Sequence, residues 1–146
     1  GGVASGSPVG ASAGSSTGAS GSGDIGASGS CLIGASGSGA AGMDELAPAD
    51  GEPVFDKLGM SALVGTPLEA ALRDRGVTTL ILVGAVLEIG IEPTARHAAD
   101  LGFLPVVVDD ACGIVEPDAA QRSLDSLDYS LLSYRATAAE VAAAFG

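Results

Sequence analysis

The sequence predicts an α/β fold, a three-layer αβα arrangement around a mainly parallel, Rossmann-like sheet. Uninterrupted β-prone runs occur at 78–83 and 104–108, and such runs are typical of strands buried on both faces. Amphipathic segments of about 10–12 residues alternate with the runs, which indicates helices that connect parallel strands. Strands and helices that alternate in this way favour a single α/β domain.

The elements of this fold can be located in order from residue 43 onward. A short strand at 54–56 ends at Lys57. The next helix has Thr66 as its N-cap, Pro67 at its first position and Gly76 as its stop. The other expected elements are strands at 78–83, 104–108 and 130–134, a helix at 91–101 closed by Gly102, a helix that begins at Pro117 and a final helix that Thr137 caps and Phe145 ends.

The segment 1–42 has a different composition, because Gly, Ser or Ala fill 33 of its positions. So few apolar side chains do not offset the backbone entropy lost on folding, about 1–2 kcal/mol per residue. On composition alone the segment is a flexible linker or a disordered tail. The alternative, which we favour, is that its letters are unassigned placeholders for the N-terminal strands and helix of the domain whose C-terminal part is 43–146.

Charge and cysteine content exclude several classes of function. The net charge is −12 and the six Lys and Arg residues are scattered, so no nucleic-acid surface is expected. No apolar run reaches the ~18–20 residues of a membrane span, and no secretory signal is visible. Two cysteines, Cys31 and Cys112, make neither a disulfide framework nor a zinc site. We therefore expect a cytoplasmic protein without a bound metal.

Candidate site residues follow the predicted strands, because ligands of parallel sheets bind beyond the carboxyl ends of the strands. Those ends are Lys57, the loop 84–90 and the segment 109–113. Lys57, the only lysine, is either a solvated side chain or a cation that holds a carboxylate substrate or shifts the pKa of a nearby acid. The loop 84–90 has glycine at both limits, so it is either a tight turn or a strand-to-helix loop whose N–H groups stabilise an oxyanion.

Six segments in one order carry a resemblance to a known family: KLGMSAL at 57–63, GTPL at 65–68, LILVG at 80–84, TARHA at 94–98, GF at 102–103 and PVVVDDA at 105–111. Together they resemble the isochorismatase-like hydrolases over nearly all of 43–146. That superfamily contains amidases, such as nicotinamidases and N-carbamoyl hydrolases, and isochorismatases, which cleave a vinyl ether. The resemblance implies a hydrolase of a small molecule that needs no cofactor and forms a homo-oligomer.

The resemblance also implies roles for individual residues. The amidases of the superfamily use an aspartate, a lysine and a cysteine, and Lys57 matches the lysine. The cysteine position is occupied by Gly90. The resemblance also implies a cis peptide bond at Ala85-Val86 and an oxyanion hole formed by the N–H groups of Val86 and Gly90.

Gly90 decides between the two chemistries of the superfamily. Glycine carries no nucleophile, so a thioester cannot form at this position. Isochorismatases proper also have glycine here, and an acid and a water molecule perform their reaction. Gly90 therefore favours a hydrolase without a covalent cysteine intermediate. Two alternatives stay open: an inactive relative that acts in binding or assembly, and an amidase with a different nucleophile.

The remaining polar residues are weaker candidates. Glu88 lies in the loop and is a candidate acid, or a residue that orients one. We expect Cys112 to be a small packed residue and His97 to be structural. Asp109 and Asp110 follow a strand and can line the cleft.

The aspartate that the resemblance requires at the end of the first strand is not found. Asp24 is the only acidic residue before Asp44, and its neighbours do not form an apolar strand. The stretch before Lys57 is also too short for the elements that the superfamily places there. Both points favour the placeholder interpretation of 1–42.

Overall fold

A computed structural model of the chain describes residues 9–14, 31–35 and 52–145. Six strands form one sheet, and every neighbouring pair in it is parallel. The predicted α/β class is therefore confirmed. The strands are β1 Val9–Gly14, β2 Cys31–Ala35, β3 Val54–Lys57, β4 Thr79–Ala85, β5 Leu104–Gly113 and β6 Tyr134–Ala136. The described helices are α1 Leu68–Asp74, α2 Glu92–Asp100, α3 Pro117–Ser130 and α4 Ala138–Phe145, and one π-helical turn, Leu87–Ile91, precedes α2.

The strand order β3-β2-β1-β4-β5-β6 fixes where a ligand can bind. The chain builds the sheet outward from β1 to β3, then returns to the other side of β1 and builds outward again from β4. The order therefore reverses between β1 and β4, and parallel sheets bind ligands at the carboxyl ends of the strands at such a point. The segment that follows β4 lies at this place.

The core lies where α1 and α2 meet β4. Leu80 and Leu82 of β4 are fully buried, and their neighbours 79 and 81 are half-buried. Leu68 and Leu72, four residues apart on α1, bury the same face of that helix. These side chains belong to one apolar cluster with Ala62, Leu63, Val77, Ile91, Ala95, Ala98, Phe103, Val107 and Leu127. The core thus holds α2, and the π-helical turn that precedes it, against β4, the strand beside which the strand order reverses.

Two predicted strands have wrong boundaries. We expected one strand to end at Val108, but β5 continues to Gly113. Its register with β4 shifts at 82–84, and a bulge of this kind lets pairing resume beyond an irregular residue. We also expected a strand at 130–134, whereas α3 runs to Ser130 and β6 covers Tyr134–Ala136. Ala120, Leu124 and Leu127 are buried on one face of α3, and this apolar stripe carries the helix up to Ser130.

The region 84–90 is also more regular than predicted. Gly84 and Ala85 still belong to β4, and Leu87–Ile91 is a π-helical turn. Only Val86 separates strand from turn. Pro67 precedes α1 rather than opening it, and the Thr66 hydroxyl accepts the Leu68 N–H at 3.4 Å. The expected cap on α4 is present as a reciprocal pair, in which Thr137 and Glu140 each accept the other's backbone N–H.

Candidate active site

Lys57 ends β3, and its side chain is held by the segment that follows it. The ammonium donates to the carbonyl oxygens of Gly59 and Met60, both at 3.1 Å. Partial burial lowers the pKa of Lys57 below its ordinary value, because desolvation disfavours the charged form. An ammonium has three N–H donors, and these two contacts use two of them. The cation is therefore oriented by backbone oxygens of the described chain rather than by a carboxylate.

The segment 58–63, which follows Lys57, crosses the sheet from the end of β3 to α2. Two strands lie between β3 and β4, so three strand spacings, about 14 Å, separate them. The segment nevertheless contacts α2: the Ala62 N–H donates to the Thr94 hydroxyl at 3.0 Å, and Ser61 Oγ lies 3.1 Å from His97 Nδ1. Because Thr94 and His97 are on α2, the segment spans the carboxyl ends of β2 and β1.

Thr94 joins this segment to the turn that follows β4. Its hydroxyl accepts from the Ala62 N–H and donates to the Gly90 carbonyl oxygen at 2.7 Å. The side chain is 1% exposed. Ser61 is also buried, and its hydroxyl accepts the N–H of Leu63 at 3.2 Å. These bonds fix the position of the segment 58–63 relative to Gly90.

The backbone changes direction between β4 and the π-helical turn. The peptide bond Ala85-Val86 is cis, at the position that the resemblance implies. The Val86 carbonyl oxygen accepts N–H groups from Ile89, Gly90 and Ile91, at 3.2, 2.7 and 3.2 Å. The Gly90 N–H, which the resemblance assigns to an oxyanion hole, is thus bonded within the turn.

Position 90 faces the segment of Lys57. A Cβ built on Gly90 would have two nearest described atoms, the carbonyl oxygens of Met60 at 3.9 Å and of Ala85 at 4.0 Å. Both are ordinary contacts, and Gly90 is not among the residues with positive φ, so neither its described neighbours nor its backbone conformation requires glycine here. The Met60 oxygen also accepts from Lys57. The ammonium consequently lies within about 7 Å of this Cβ position, a distance that one water molecule can bridge. The structure therefore brings Lys57, Met60, Ala85 and Gly90 together.

Glu88 lies beside this group and is bound to another part of the fold. Its Oε1 accepts the N–H groups of Val115 and Glu116, both at 2.9 Å, where α3 begins. Burial opposes ionisation, but N–H groups of Glu116, Glu88 and Val115 outweigh it, so the pKa of Glu88 is lowered. A carboxylate at a helix N-terminus is stabilised by the helix dipole. These contacts favour an anchor for α3 over a proton donor, which needs a raised pKa.

Cys112 lies opposite Gly84 in the pairing of β5 with β4, and its thiol has a structural partner. The Cys112 thiol donates to the Leu82 carbonyl oxygen at 3.9 Å, and burial raises the pKa of Cys112 to about 12. Such a thiol is almost entirely protonated at neutral pH and is a poor nucleophile. Cys31 begins β2, so in this parallel sheet its place is at the edge opposite the carboxyl ends. The Cys112 thiol is therefore unsuited to nucleophilic attack.

The other candidates have structural partners. His97 contacts Ser61 as described above, Asp109 is paired with Arg135 of β6, and the Asp110 carboxylate accepts the Ala138 N–H at 2.8 Å, at the start of α4. Asp109 thus binds β6, and Asp110 binds the first residue of α4. Asp24 lies outside the described residues.

Sequence reasoning missed two contributors to the site. One is Thr94, although a threonine in the first turn of a helix signals a side chain that bonds to nearby backbone. The other is the Met60 carbonyl, which no sequence pattern could reveal, because it depends on how the segment 58–63 crosses the sheet. Within 52–145, no group of three or more His, Cys, Asp and Glu side chains is placed to hold a metal ion. No helix in the described stretches has the length and apolarity to span a membrane.

Comparison with known proteins assigns this architecture. Residues 26–140 match the isochorismatase domain. The chain belongs to the isochorismatase family. A relative, the uncharacterized isochorismatase family protein YecD of Escherichia coli O157:H7, is 37% identical over 82 residues, or 56% of this chain and 44% of that protein. The ureidoacrylate amidohydrolase RutB of Enterobacter sp. (strain 638) is 36% identical over 81 residues, or 56% of this chain and 35% of that enzyme.

A solved structure supports the same assignment. The isochorismatase family protein from Desulfovibrio vulgaris is similar with a TM-score of 0.61 and 34% identity, over 64% of this chain and 49% of that one. The matches thus cover less than half the length of each of these proteins. These partial matches establish the family, whereas the activity, the substrate and the mechanism of this chain are matters for proposal.

Proposed function

We propose that this protein hydrolyses a small molecule at the group formed by Lys57, Met60 and Gly90, without a covalent cysteine intermediate. The observation that carries the proposal is the proximity of Lys57 to position 90, both in contact with one carbonyl oxygen. The same group lies at the carboxyl end of β4, at the point where the strand order reverses.

In this proposal Lys57 binds and polarises the substrate. Two of its N–H donors are held by the Gly59 and Met60 oxygens, and the remaining donor is available to a carboxylate or to an oxygen that gains negative charge. Stabilising such a charge in a site with little water is worth roughly 10²–10³ in kcat per donor. The Val86 N–H, next to the cis bond, is the second proposed donor. The Gly90 N–H can stabilise the same negative charge only if its hydrogen bond to the Val86 oxygen is released or shared.

The absence of a covalent intermediate rests on position 90 and on the two cysteines. Gly90 offers no side chain, the thiol of Cys112 is held by Leu82 with a raised pKa, and Cys31 begins its strand at the far edge of the sheet. A water molecule is then the direct nucleophile. Because one of the relatives is an amidohydrolase, amides should be tested as substrates together with vinyl ethers.

The experiment is a screen of vinyl ethers and small amides with the wild-type protein and with the double variant Cys31→Ala/Cys112→Ala. We expect turnover of at least one substrate and rates for the double variant within about threefold of wild type, because neither thiol takes part. Turnover that disappears in the double variant would instead identify an amidase with a cysteine nucleophile. If no substrate is turned over but a small molecule binds and Lys57→Met abolishes the binding, the protein is an inactive relative that retains the site.

The proposal also includes the organisation of the whole protein. We propose that 1–42 contributes the N-terminal part of the same domain, because β1 and β2 lie within it and pair with β4 and β3. We further propose a homo-oligomer in the cytoplasm. Sequencing the gene tests the first point, and light scattering during gel filtration tests the oligomer.

A further inference from the structure

We propose that two copies of this chain associate through the surface at the free edge of β6, which consists of residues 129–134 and α4. This inference rests on the homo-oligomer of the proposed function and deepens it by naming the surface that the copies share. Within the described sheet β6 pairs only with β5, so its other edge carries N–H and C=O groups that no strand bonds. Free edges pair readily with another chain, and proteins usually cover them or protect them with charges.

Large apolar side chains surround this edge. Tyr129, Leu131 and Tyr134 are 91%, 87% and 63% exposed, and Leu132 is 40% exposed. All four lie within six consecutive residues, so they form one patch rather than scattered single side chains, and such patches mark interaction sites. At the usual areas of these side chains the patch exposes on the order of 600 Å² per copy. Two copies would then bury on the order of 1,200 Å², above the ~1,000 Å² that a specific interface needs.

Helix α4 adds a second apolar surface directly after β6. Its sequence, AAEVAAAF, is apolar except for Glu140, yet none of its residues is buried. An apolar helix of a globular protein is normally covered on at least one face. The Ala138 N–H, which the Asp110 carboxylate accepts, holds the start of α4 beside β5. The helix is thus fixed next to the sheet edge with its apolar side chains still exposed.

The charges of this surface favour a second copy of the chain as the partner. The chain has a net charge of −12, so two copies repel each other unless they meet where the charge is low. Residues 129–145 carry one positive and one negative side chain, Arg135 and Glu140, and are therefore neutral. Arg135 is paired with Asp109 and Asp128, and Glu140 is held in the cap of α4. A cationic partner would instead be attracted to the acidic remainder of the surface.

The opposite edge of the described sheet does not share these properties. The edge strand there is β3, which carries the exposed Asp56 and ends at Lys57. Charges on an edge strand discourage pairing with another chain. Because Lys57 lies at this edge, an interface at β6 is separated from the lysine of the candidate site by the width of the sheet.

The test is analytical ultracentrifugation of the full chain over a wide range of protein concentration, for the wild type and for Tyr129→Asn/Leu131→Asn. Both side chains are almost fully exposed, and Leu131 has a φ of 54° that asparagine adopts more readily than leucine. We therefore expect the double variant to keep the circular-dichroism spectrum of the wild type. We expect a wild-type dimer whose Kd rises at least about 100-fold in the double variant, because aromatic anchors carry much of an interface's affinity.

The matched control is Leu58→Asn, at a leucine that is 94% exposed beside the opposite edge strand. This variant should keep the Kd of the wild type. Added NaCl should lower the Kd of the wild type, since salt screens the repulsion between two acidic chains.

A wild type that stays monomeric would overturn both this surface and the proposed homo-oligomer. A dimer that persists in Tyr129→Asn/Leu131→Asn, that Leu58→Asn dissociates, or that added salt weakens would overturn this surface alone. None of these results bears on the proposed hydrolysis, which the substrate screen decides. If the double variant does not fold, Leu131→Asn alone provides the same comparison.

Discussion

Replacing Thr94 with valine removes the hydroxyl that joins the segment of Lys57 to the turn at Gly90, and it keeps the volume of the side chain. Thr94 is 1% exposed, and its hydroxyl bonds the Ala62 N–H at 3.0 Å and the Gly90 oxygen at 2.7 Å. A buried N–H left without a partner costs about 1–3 kcal/mol. The lost bond to the Gly90 oxygen adds about 0.5–1.5 kcal/mol. The two terms together span about 1.5–4.5 kcal/mol, and we expect Thr94→Val to lower the free energy of unfolding by a value near the middle of that range, about 2–3 kcal/mol.

The assay is urea unfolding followed by circular dichroism, since the chain has no tryptophan. A loss of this size lowers Tm by roughly 5–10 °C for a chain of this length. The matched control is Thr78→Val at an exposed threonine, which should change stability by less than about 0.5 kcal/mol. Thr94→Ser keeps the hydroxyl and should recover part of the loss. Equal urea midpoints for Thr94→Val and Thr78→Val would refute the idea that this hydroxyl holds the two segments together.

Three further predictions concern single positions. Gly113→Ala places a Cβ 3.0 Å from the Ala85 Cβ, so it should cost about 1–3 kcal/mol in urea unfolding, whereas Gly59→Ala, at an ordinary 3.6 Å contact, should cost less. The pKa of Lys57 is lowered from 10.5, so a pH–rate profile should lose kcat/KM as pH rises through a midpoint below that value, and in Lys57→Arg the loss should move to higher pH. The lowered pKa of Glu88 stabilises the fold above the ordinary value of 4.5, and this stabilisation is lost as pH falls through the folded-state pKa. The urea midpoint of Glu88→Gln should therefore fall less than that of wild type on acidification.

The sequence predicted the class of the fold because the runs at 78–83 and 104–108 have the continuous apolar character of doubly buried strands. Residue periodicity could not predict that β5 continues through Asp109 and Asp110. These acidic residues extend the strand because they bind Arg135 and the Ala138 N–H, partners almost thirty positions later in the chain. Their positions in β5 depend on tertiary contacts that local patterns do not contain.

The residues of the candidate site that lie at strand ends could be predicted from the sequence. Those contributed by the segment 58–63 and its contact with α2 could not. Lys57 and the region 84–90 could be located from the sequence, since strand ends determine where a parallel sheet binds ligands. The contributions of Met60 and Thr94 arise from the path of the segment 58–63 over β2 and β1. The strands β1 and β2 themselves carry no apolar periodicity, since their sequences are VGASAG and CLIGA.

The measurement that tests the central claim most directly is kcat/KM of Lys57→Met, which removes the charge and keeps a long side chain, on the best substrate of the screen. We predict a loss of at least about 100-fold, with a urea midpoint close to that of wild type. Arg75→Met, which removes a cation whose described bond is to the Ala71 oxygen on α1, should retain full activity. Activity of Lys57→Met within about threefold of wild type would contradict the placement of the active site beside Gly90.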